Sequence, residues 1–292
     1  MKIIPVALFF LSFFASLVSN AWLRILAKKN NFLIDRPDKY RKFHKAATPL
    51  TGGIGITFGI IFSGIYIQSL GNFFGFGEIF LGSLGIPFTV FCIVGMVNAF
   101  NMIDGINGLC ASLCLVCFVS IIYMINADSV PNLLPLILPV GAISGFLMYN
   151  LGILGNKRTV FLGDNGSNAL GFMCAWILVY FSTIDSTNFA PVTALWLVAI
   201  PFIDAVNVMI SRALKGVMPL RPGRDHIHHK LLDYGFSSDV IFSTLILLSG
   251  FFAFIGLSFN NNLSGSDYYS FYGFLLIWLC YYLFTRYIVK NV

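Results

Sequence analysis

The stretch 85–126, GIPFTVFCIVGMVNAFNMIDGINGLCASLCLVCFVSIIYMIN, decides the fold. Two apolar runs flank one polar turn, and Asp104 in that turn is the only formally charged residue of the stretch. A bilayer core asks for about 20 consecutive apolar residues in helical form. Inside a membrane only helices and closed barrels satisfy the backbone, and continuous rather than alternating hydrophobicity selects helices.

The pattern recurs along the chain. Of the 292 residues, 58% are hydrophobic and 10% charged, against roughly a quarter charged in a soluble domain; the mean hydropathy is +0.84. Nine spans are expected, at 4–26, 50–68, 82–99, 108–126, 132–149, 166–183, 191–210, 238–258 and 269–288. The first is too long for a signal-peptide core and precedes a basic cluster, so a retained helix is expected. The fold class is an all-α polytopic membrane protein, with residues 1–292 forming one integral membrane domain.

Charge sets the orientation. With the N-terminus periplasmic and the C-terminus cytoplasmic, the inner segments are 27–49, 100–107, 150–165, 211–237 and the tail. Counting Arg24 and Arg286 with their helix ends, these hold seventeen of the eighteen Lys and Arg residues, as the positive-inside rule requires. The net charge of +6 is therefore a topology signal, and no basic stripe interleaved with aromatics suggests nucleic-acid binding. The six cysteines fall in or beside apolar spans. Cys110, Cys114 and Cys117 share a helix face that could hold a soft metal, but without CxxC pairing or a nearby histidine they read as core or lipid-facing thiols. No disulfides are expected.

Three polar motifs lie on the inner side. In NAFNMIDGINGL (98–109), Asn101, Asp104 and Asn107 recur at threes beside two glycines. Helix capping would explain one of them, whereas polar groups at membrane depth usually mark a site. In VFLGDNGS (160–167), Asp164 stands at a helix start among small residues, suited to a phosphate on backbone N–H groups and to Mg²⁺, which takes one or two carboxylates plus phosphate oxygens; a simple cap is the alternative. In RPGRDHIHHK (221–230), His226, His228 and His229 stand among Arg221, Arg224 and Lys230. The spacing is not that of a zinc protease; histidines beside guanidinium groups suit an anion such as a diphosphate, and a solvated basic loop is the bland alternative. Asp204 lies inside a span, about 12 Å of helix from Arg212, and reads either as a site or as a hydrogen bond between helices. In the basic loop before the second span, Lys42, His44 and Lys45 could bind lipid head groups or a phosphate. A secondary transporter would need inverted repeats or interrupted helices, and neither is legible.

These loops, in this order, resemble the polyprenyl-phosphate N-acetylhexosamine-1-phosphate transferases. The resemblance covers nearly the whole chain and rests on NAFNMIDGINGL, NLGILGNKRTVFLGDNGS, PVTALWLVAIPFIDAV and DHIHHKLLDYGFS together. It is nearest to bacterial members that move GlcNAc-1-phosphate from UDP-GlcNAc to undecaprenyl phosphate, release UMP and initiate O-antigen and other surface-polysaccharide synthesis. It implies a multi-pass protein of the bacterial inner membrane, with its active site on the cytoplasmic face, Mg²⁺ as cofactor (or Mn²⁺) and room for a homodimer. Asp164 and Asp104 would hold the metal; Asp104, Asp164, His228 and His229 would be catalytic; and Lys45, Asn101, Asn107, Asn150, Arg224 and His226 would bind substrate. Within that assignment Asn150 lies near the uridine or sugar, and Lys45 faces phosphate.

Two departures from the family pattern stand out. Asn107 occupies a position where the family usually has Asp. The family's adjacent Asp-Asp pair, in a loop between its third and fourth helices, has no counterpart: the sequence contains no Asp-Asp dipeptide, and near Ser69 it passes directly to the segment that succeeds the family's fourth helix. The expectation is a chain short of two helices and their acidic loop. The alternative function is therefore a family remnant that binds UDP-sugar or polyprenyl lipid without turnover.

Overall fold

The computed structural model describes residues 65–125, 130–155, 157, 159–183, 189–219, 223–262 and 267–291, with scattered positions before residue 65. Apart from those positions and residues 65–68, the expected spans 4–26 and 50–68 and the basic segment with Lys42, His44 and Lys45 lie outside the described residues. A two-residue antiparallel pair, Ile34–Asp35 with Thr48–Pro49, departs from the all-helical expectation. The chain forms two compact units, residues 1–67 with 83–94, and residues 68–82 with 95–292. In the first unit, the Thr89 hydroxyl accepts from the Ile67 N–H at 2.8 Å and donates to the Gly85 carbonyl at 2.7 Å.

The helices are α1 (Gly85–Ile103), α2 (Leu109–Met124), α3 (Val130–Asn150), α4 (Gly163–Ser182), α5 (Pro191–Leu197), α6 (Ala199–Leu214), α7 (Ile227–Asp233), α8 (Ser238–Asn262) and α9 (Asp267–Asn291). Each apolar run expected between 82 and 288 coincides within a few residues with one helix or, for 191–210, with a broken pair. By length and composition two helices can cross a membrane, Gly82–Ile103 and Ser238–Asn261, and the pair α5–α6 makes a third. Helix α2 and the segment Leu136–Asn150 are apolar but shorter. On α8, Leu247, Phe251 and Phe254 are exposed at helical spacing, as are Leu276, Leu279 and Leu283 on α9. Apolar side chains facing outward in stripes, over a packed interior, belong to a helical membrane protein.

Helix α2 is the post of the second unit. Residues 109–114 are all buried, and six consecutive positions cover more than one 3.6-residue turn, so no face is left open. Helices α3, α4, α5 and α8 pack around it. Against α4 the Sγ atoms of Cys114 and Cys174 stand 3.2 Å apart; all six cysteines are free. Close approach elsewhere depends on glycine: a Cβ on Gly171 of α4 would sit 2.9 Å from the Cα of Val97 on α1.

The single span expected at 191–210 is broken. Helices α5 and α6 meet at Val198 with a bend of 87°. Pro201 is the physical reason: it has no N–H for the Leu197 carbonyl, and its ring would clash there in a continuous helix. The sequence reading found no interrupted helix, and the structure corrects it. The start of α5 is held from α8 by Asn260, whose Oδ1 accepts from the Ala190 N–H at 3.0 Å and the Thr193 hydroxyl at 2.9 Å. Trp196 fills the crook. It is 1% exposed, ringed by Phe252, Phe259 and Phe274, and its indole N–H donates to Ser270 Oγ at 3.0 Å.

Trp196 has room because residue 256 is glycine; a Cβ there would lie 2.7 Å from the indole Cγ. Gly256→Ala is expected to cost about 1–3 kcal/mol by overpacking, read as a lower melting temperature in detergent. Gly250→Ala, on the same helix with nothing within 4 Å, should leave the melt unchanged or raise it slightly, since alanine favours helix by up to about 1 kcal/mol. Equal melts for the two variants would contradict this packing.

Candidate active site

The polar loops at one end of the second unit converge. The turn between α1 and α2 is closed by backbone bonds from the Gly105 N–H to the Ile103 carbonyl at 2.8 Å and from the Leu109 N–H to the Ile106 carbonyl at 3.1 Å. Gly108 caps α2 at φ 79°, with no side-chain bond to the helix. Capping therefore does not account for Asp104 or Asn107. Helix α4 likewise starts after Leu162 without a side-chain cap, and Asp164 lies in its first turn.

Asn101 joins the two loops. Its Nδ2 donates to Ser167 Oγ at 3.0 Å and lies 3.5 Å from Asp164 Oδ1, a long contact. Ser167 is fully buried. Burial raises the Asp104 carboxyl from its ordinary 3.8 to about 6, and the charge of Asp164 adds to the rise. An Asp104 whose ionisation is opposed by a neighbouring carboxylate marks a place that a cation would favour. Among the described residues no three of His, Cys, Asp or Glu gather as a metal-binding group, so zinc or soft-metal ligation has no geometric support there. A hard divalent ion on one or two carboxylates and substrate oxygens needs only this pair.

The histidine segment comes in from the other side. The expected loop contains α7, capped by the extended residue His226. His226 Nδ1 lies 2.7 Å from Asp204 Oδ2, and its ring is stacked at 11° and 6.2 Å on that of His228. The His228 ring abuts Gly105 so closely that a Cβ on residue 105 would run into Nε2. His228 is fully buried, and among the described residues neither of its ring nitrogens has a hydrogen-bond partner. Burial, then the neighbouring His229, lowers it to about 4, so it is neutral at pH 7. His229, whose Nδ1 is also unpartnered, is lowered by burial and then by Arg224. Burial lowers Lys230 as well.

The remaining expected residues are placed variously. Asn107 and Asn150 line a cavity of about 460 Å³ with Ile106, Thr159, Asp239 and Phe242. Asn150 Nδ2 also donates to the Val160 carbonyl at 2.6 Å, tying the end of α3 to the approach to α4. Arg224 is exposed and donates one N–H to Asp233 Oδ1 at 2.9 Å. Lys45 lies outside the described residues. The sequence places Ser167 only among the small residues of a helix start; its bond to Asn101 was not foreseen, Tyr281 was missed, and Arg212 was weighed only as a neighbour of Asp204. Arg212 is nearly buried, donating from Nε to Asp225 Oδ2 at 2.8 Å and from a terminal nitrogen to the Pro219 carbonyl at 3.0 Å. A basic residue closing an apolar span was the one signal for it.

A family model described as glycosyl transferase family 4 matches residues 36–182. Among curated relatives, the undecaprenyl-phosphate alpha-N-acetylglucosaminyl 1-phosphate transferase of Escherichia coli (strain K12) is 38% identical over 221 residues, covering 75% of this chain and 60% of the relative. The protein of that name from Yersinia pestis is 32% identical over 279 residues, covering 77% and 76%. That from Haemophilus influenzae is 36% identical over 230 residues, covering 74% and 61%. The chain thus spans about 60% of the length of the Escherichia coli proteins it matches.

The contact of Gly105 with His228 gives a direct test by double-mutant cycle. Gly105→Ala should destabilise the protein by overpacking, and His228→Ala should relieve that cost. The two are expected to couple by about 0.5–3 kcal/mol in thermal or denaturant melts, the double variant being more stable than additivity allows. Additive costs would mean that the ring does not rest on residue 105.

Proposed function

The chain belongs to glycosyl transferase family 4, and on that footing we propose that it transfers N-acetylglucosamine 1-phosphate from UDP-GlcNAc to undecaprenyl phosphate, the first step of a lipid-linked surface polysaccharide such as O-antigen. The observation that carries this reading is the meeting of Asp104, Asp164 and the unpartnered His228 beside a cavity lined by Asn107 and Asn150. An oxygen of the lipid phosphate attacks the β-phosphorus of UDP-GlcNAc. A new P–O bond forms, the bond to the α-phosphate oxygen breaks, and UMP leaves. A phosphate monoester is largely ionised near neutral pH, its second pKa being about 6, so the attacking oxygen needs no strong base. Catalysis is then mostly positioning and charge stabilisation.

In this reading Asp104 and Asp164 hold Mg²⁺ or Mn²⁺. The bound ion supplies charge neutralisation on the diphosphate. Asn101 orients Asp164 through Ser167. The cavity takes the nucleoside side, with Asn107 and Asn150 as its polar contacts. Neutral His228, with both nitrogens free for bonding, offers an N–H to a phosphate oxygen, while His226, His229, Arg224 and Lys45 complete the anion contacts.

A nine-span topology, with the N-terminus outside and the site facing the cytoplasm of a bacterial inner membrane, fits the same picture. The segments around 101–107, 150–167 and 223–230, all expected on the inner side, meet one another. Expected outer segments also meet: the Asn72 N–H donates to Asp267 at 3.1 Å, and Asn260 reaches Met124 and Ala190. The absence of an Asp-Asp pair favours one alternative, a chain that binds UDP-sugar or polyprenyl lipid without turnover.

Purified full-length protein with Mg²⁺, UDP-GlcNAc and undecaprenyl phosphate is expected to release UMP and label the lipid. Asp164→Ala should reduce the rate by at least about 100-fold, the scale of losing one preorganised charge-stabilising group. UDP-GlcNAc binding without product would establish the non-catalytic alternative, and neither binding nor product would sink both readings. Cation binding should also depend on pH. Asp104 is protonated below about 6, so Mn²⁺ affinity measured by electron paramagnetic resonance should fall as pH drops from 7 to 5, by up to about tenfold per unit for one competing proton. A flat profile would remove Asp104 from the metal site.

A further inference from the structure

Asp204 lies inside helix α6 and is 1% exposed, yet the transfer reaction gives it no role. A carboxylate in such surroundings persists only where donors replace its water. Here three do, each from a different part of the chain. Tyr281 on α9 donates its hydroxyl to Oδ1 at 2.7 Å, the backbone N–H of Ile227 at the start of α7 donates to Oδ1 at 2.9 Å, and His226 Nδ1 stands 2.7 Å from Oδ2. The first two can only be donors toward an ionised carboxylate. With Asp204 ionised the third is an N–H as well, since an ionised carboxylate only accepts.

The consequence runs toward the site in two steps. Fixing a proton on one ring nitrogen of histidine leaves the other as the atom that binds or exchanges protons. His226 in turn stacks on His228, and His228 rests on Gly105 beside Asp104. We infer that Asp204 is a positioning residue for the transfer: through its carboxylate it keeps the His226 proton on Nδ1, leaving Nε2 basic, and seats the start of α7 so that His228 meets the Asp104 turn. This rests on the transferase reading only for its catalytic consequence; the clamp itself is a statement about structure.

The neighbouring Asn207 separates this role from mere bracing. It also bridges α6 to α9, donating to Thr285 Oγ1 at 3.2 Å, but no contact described joins it to the histidine segment. Asp204→Asn is the informative substitution. Its Oδ1 can still accept from Ile227 and Tyr281, so the brace survives, but its NH₂ faces the ring and drives the His226 proton to Nε2.

The chain has four histidines, so ¹⁵N-histidine labelling of the full-length protein in lipid gives an interpretable spectrum, with His226 assigned by its loss in His226→Asn. The wild type should show Nδ1–H at His226 and Asp204→Asn should show Nε2–H, while Asn207→Ala leaves the signal unmoved. In the UMP-release assay Asp204→Asn should lose at least about 100-fold in kcat, the scale of losing one preorganised charge-stabilising group, with KM for UDP-GlcNAc changed by less than about threefold. Asn207→Ala should melt lower but keep its kcat. A wild-type His226 protonated on Nε2 alone, or an Asp204→Asn variant with undiminished kcat, overturns the inference. A wild type that makes no product counts against the transferase reading instead, and the nitrogen spectrum then decides the clamp by itself.

Discussion

The start of helix α2 has no outside. With Leu109 to Cys114 buried at every position and α3, α4, α5 and α8 packed around it, its backbone bonds are closed within the helix and its side chains can carry no charge. Polar chemistry is pushed off its ends. The N-terminal end is the turn Asp104–Gly108, made compact by the left-handed Gly108. Three of the helices around α2 bring polar residues to this end: Asp164 from α4, Asn150 from α3 and Asp239 from α8. The site lies where the packed, charge-free start of α2 gives way to a turn.

Two kinds of carboxylate result, and their surroundings tell them apart. Asp204 is almost wholly buried but meets three donors, so its charge is matched within the protein. Asp104 and Asp164 are less buried but poorly matched. Asp164 receives one long contact from Asn101, and Asp104 is raised to about 6 by burial and by its neighbour's charge. A matched carboxylate braces the fold. Asp104, half-buried and raised by burial and a neighbouring charge, is a perturbed group of the kind that gathers at sites of chemistry. His228 makes the same distinction among the histidines: His226 has a carboxylate partner, whereas His228 is buried with two unpartnered nitrogens, a costly arrangement unless a ligand completes it.

Much of this was legible in the sequence, because membrane helices announce themselves by length and composition. Seven apolar runs between 82 and 288 became helices in the expected places. The interruption at Val198 was written there too, as Pro201 in PVTALWLVAIPFIDAV, but an averaged hydropathy run hides one missing N–H. Asp104, Asp164 and His228 stood out because charged and imidazole groups are rare in this chain. Tyr281 did not: it looks like any interfacial aromatic, and only its 2.7 Å distance to Asp204 gives it meaning, while Ser167, legible as part of a helix start, gains a partner only through its 3.0 Å bond from Asn101. Asp204 itself was ambiguous from sequence, since an intramembrane acid reads equally as a site or a brace. The three donors decide for the brace, and one of them being a histidine connects it to the site.

Charge balance gives the departures from the family pattern their physical weight. With Asn107 in place of an acid and no Asp-Asp pair in the sequence, the described site presents two carboxylates to a cation. Each missing carboxylate weakens the hold on a divalent ion, but it also removes repulsion against a diphosphate donor and an anionic lipid acceptor. Asn107 can still donate and accept hydrogen bonds at the cavity wall. Under the proposed function, what such a site lost in metal affinity would be recovered with substrate present, when phosphate oxygens supply the ligands the protein lacks, as hard cations with few protein ligands require. Such a site would take up its ion together with the nucleotide.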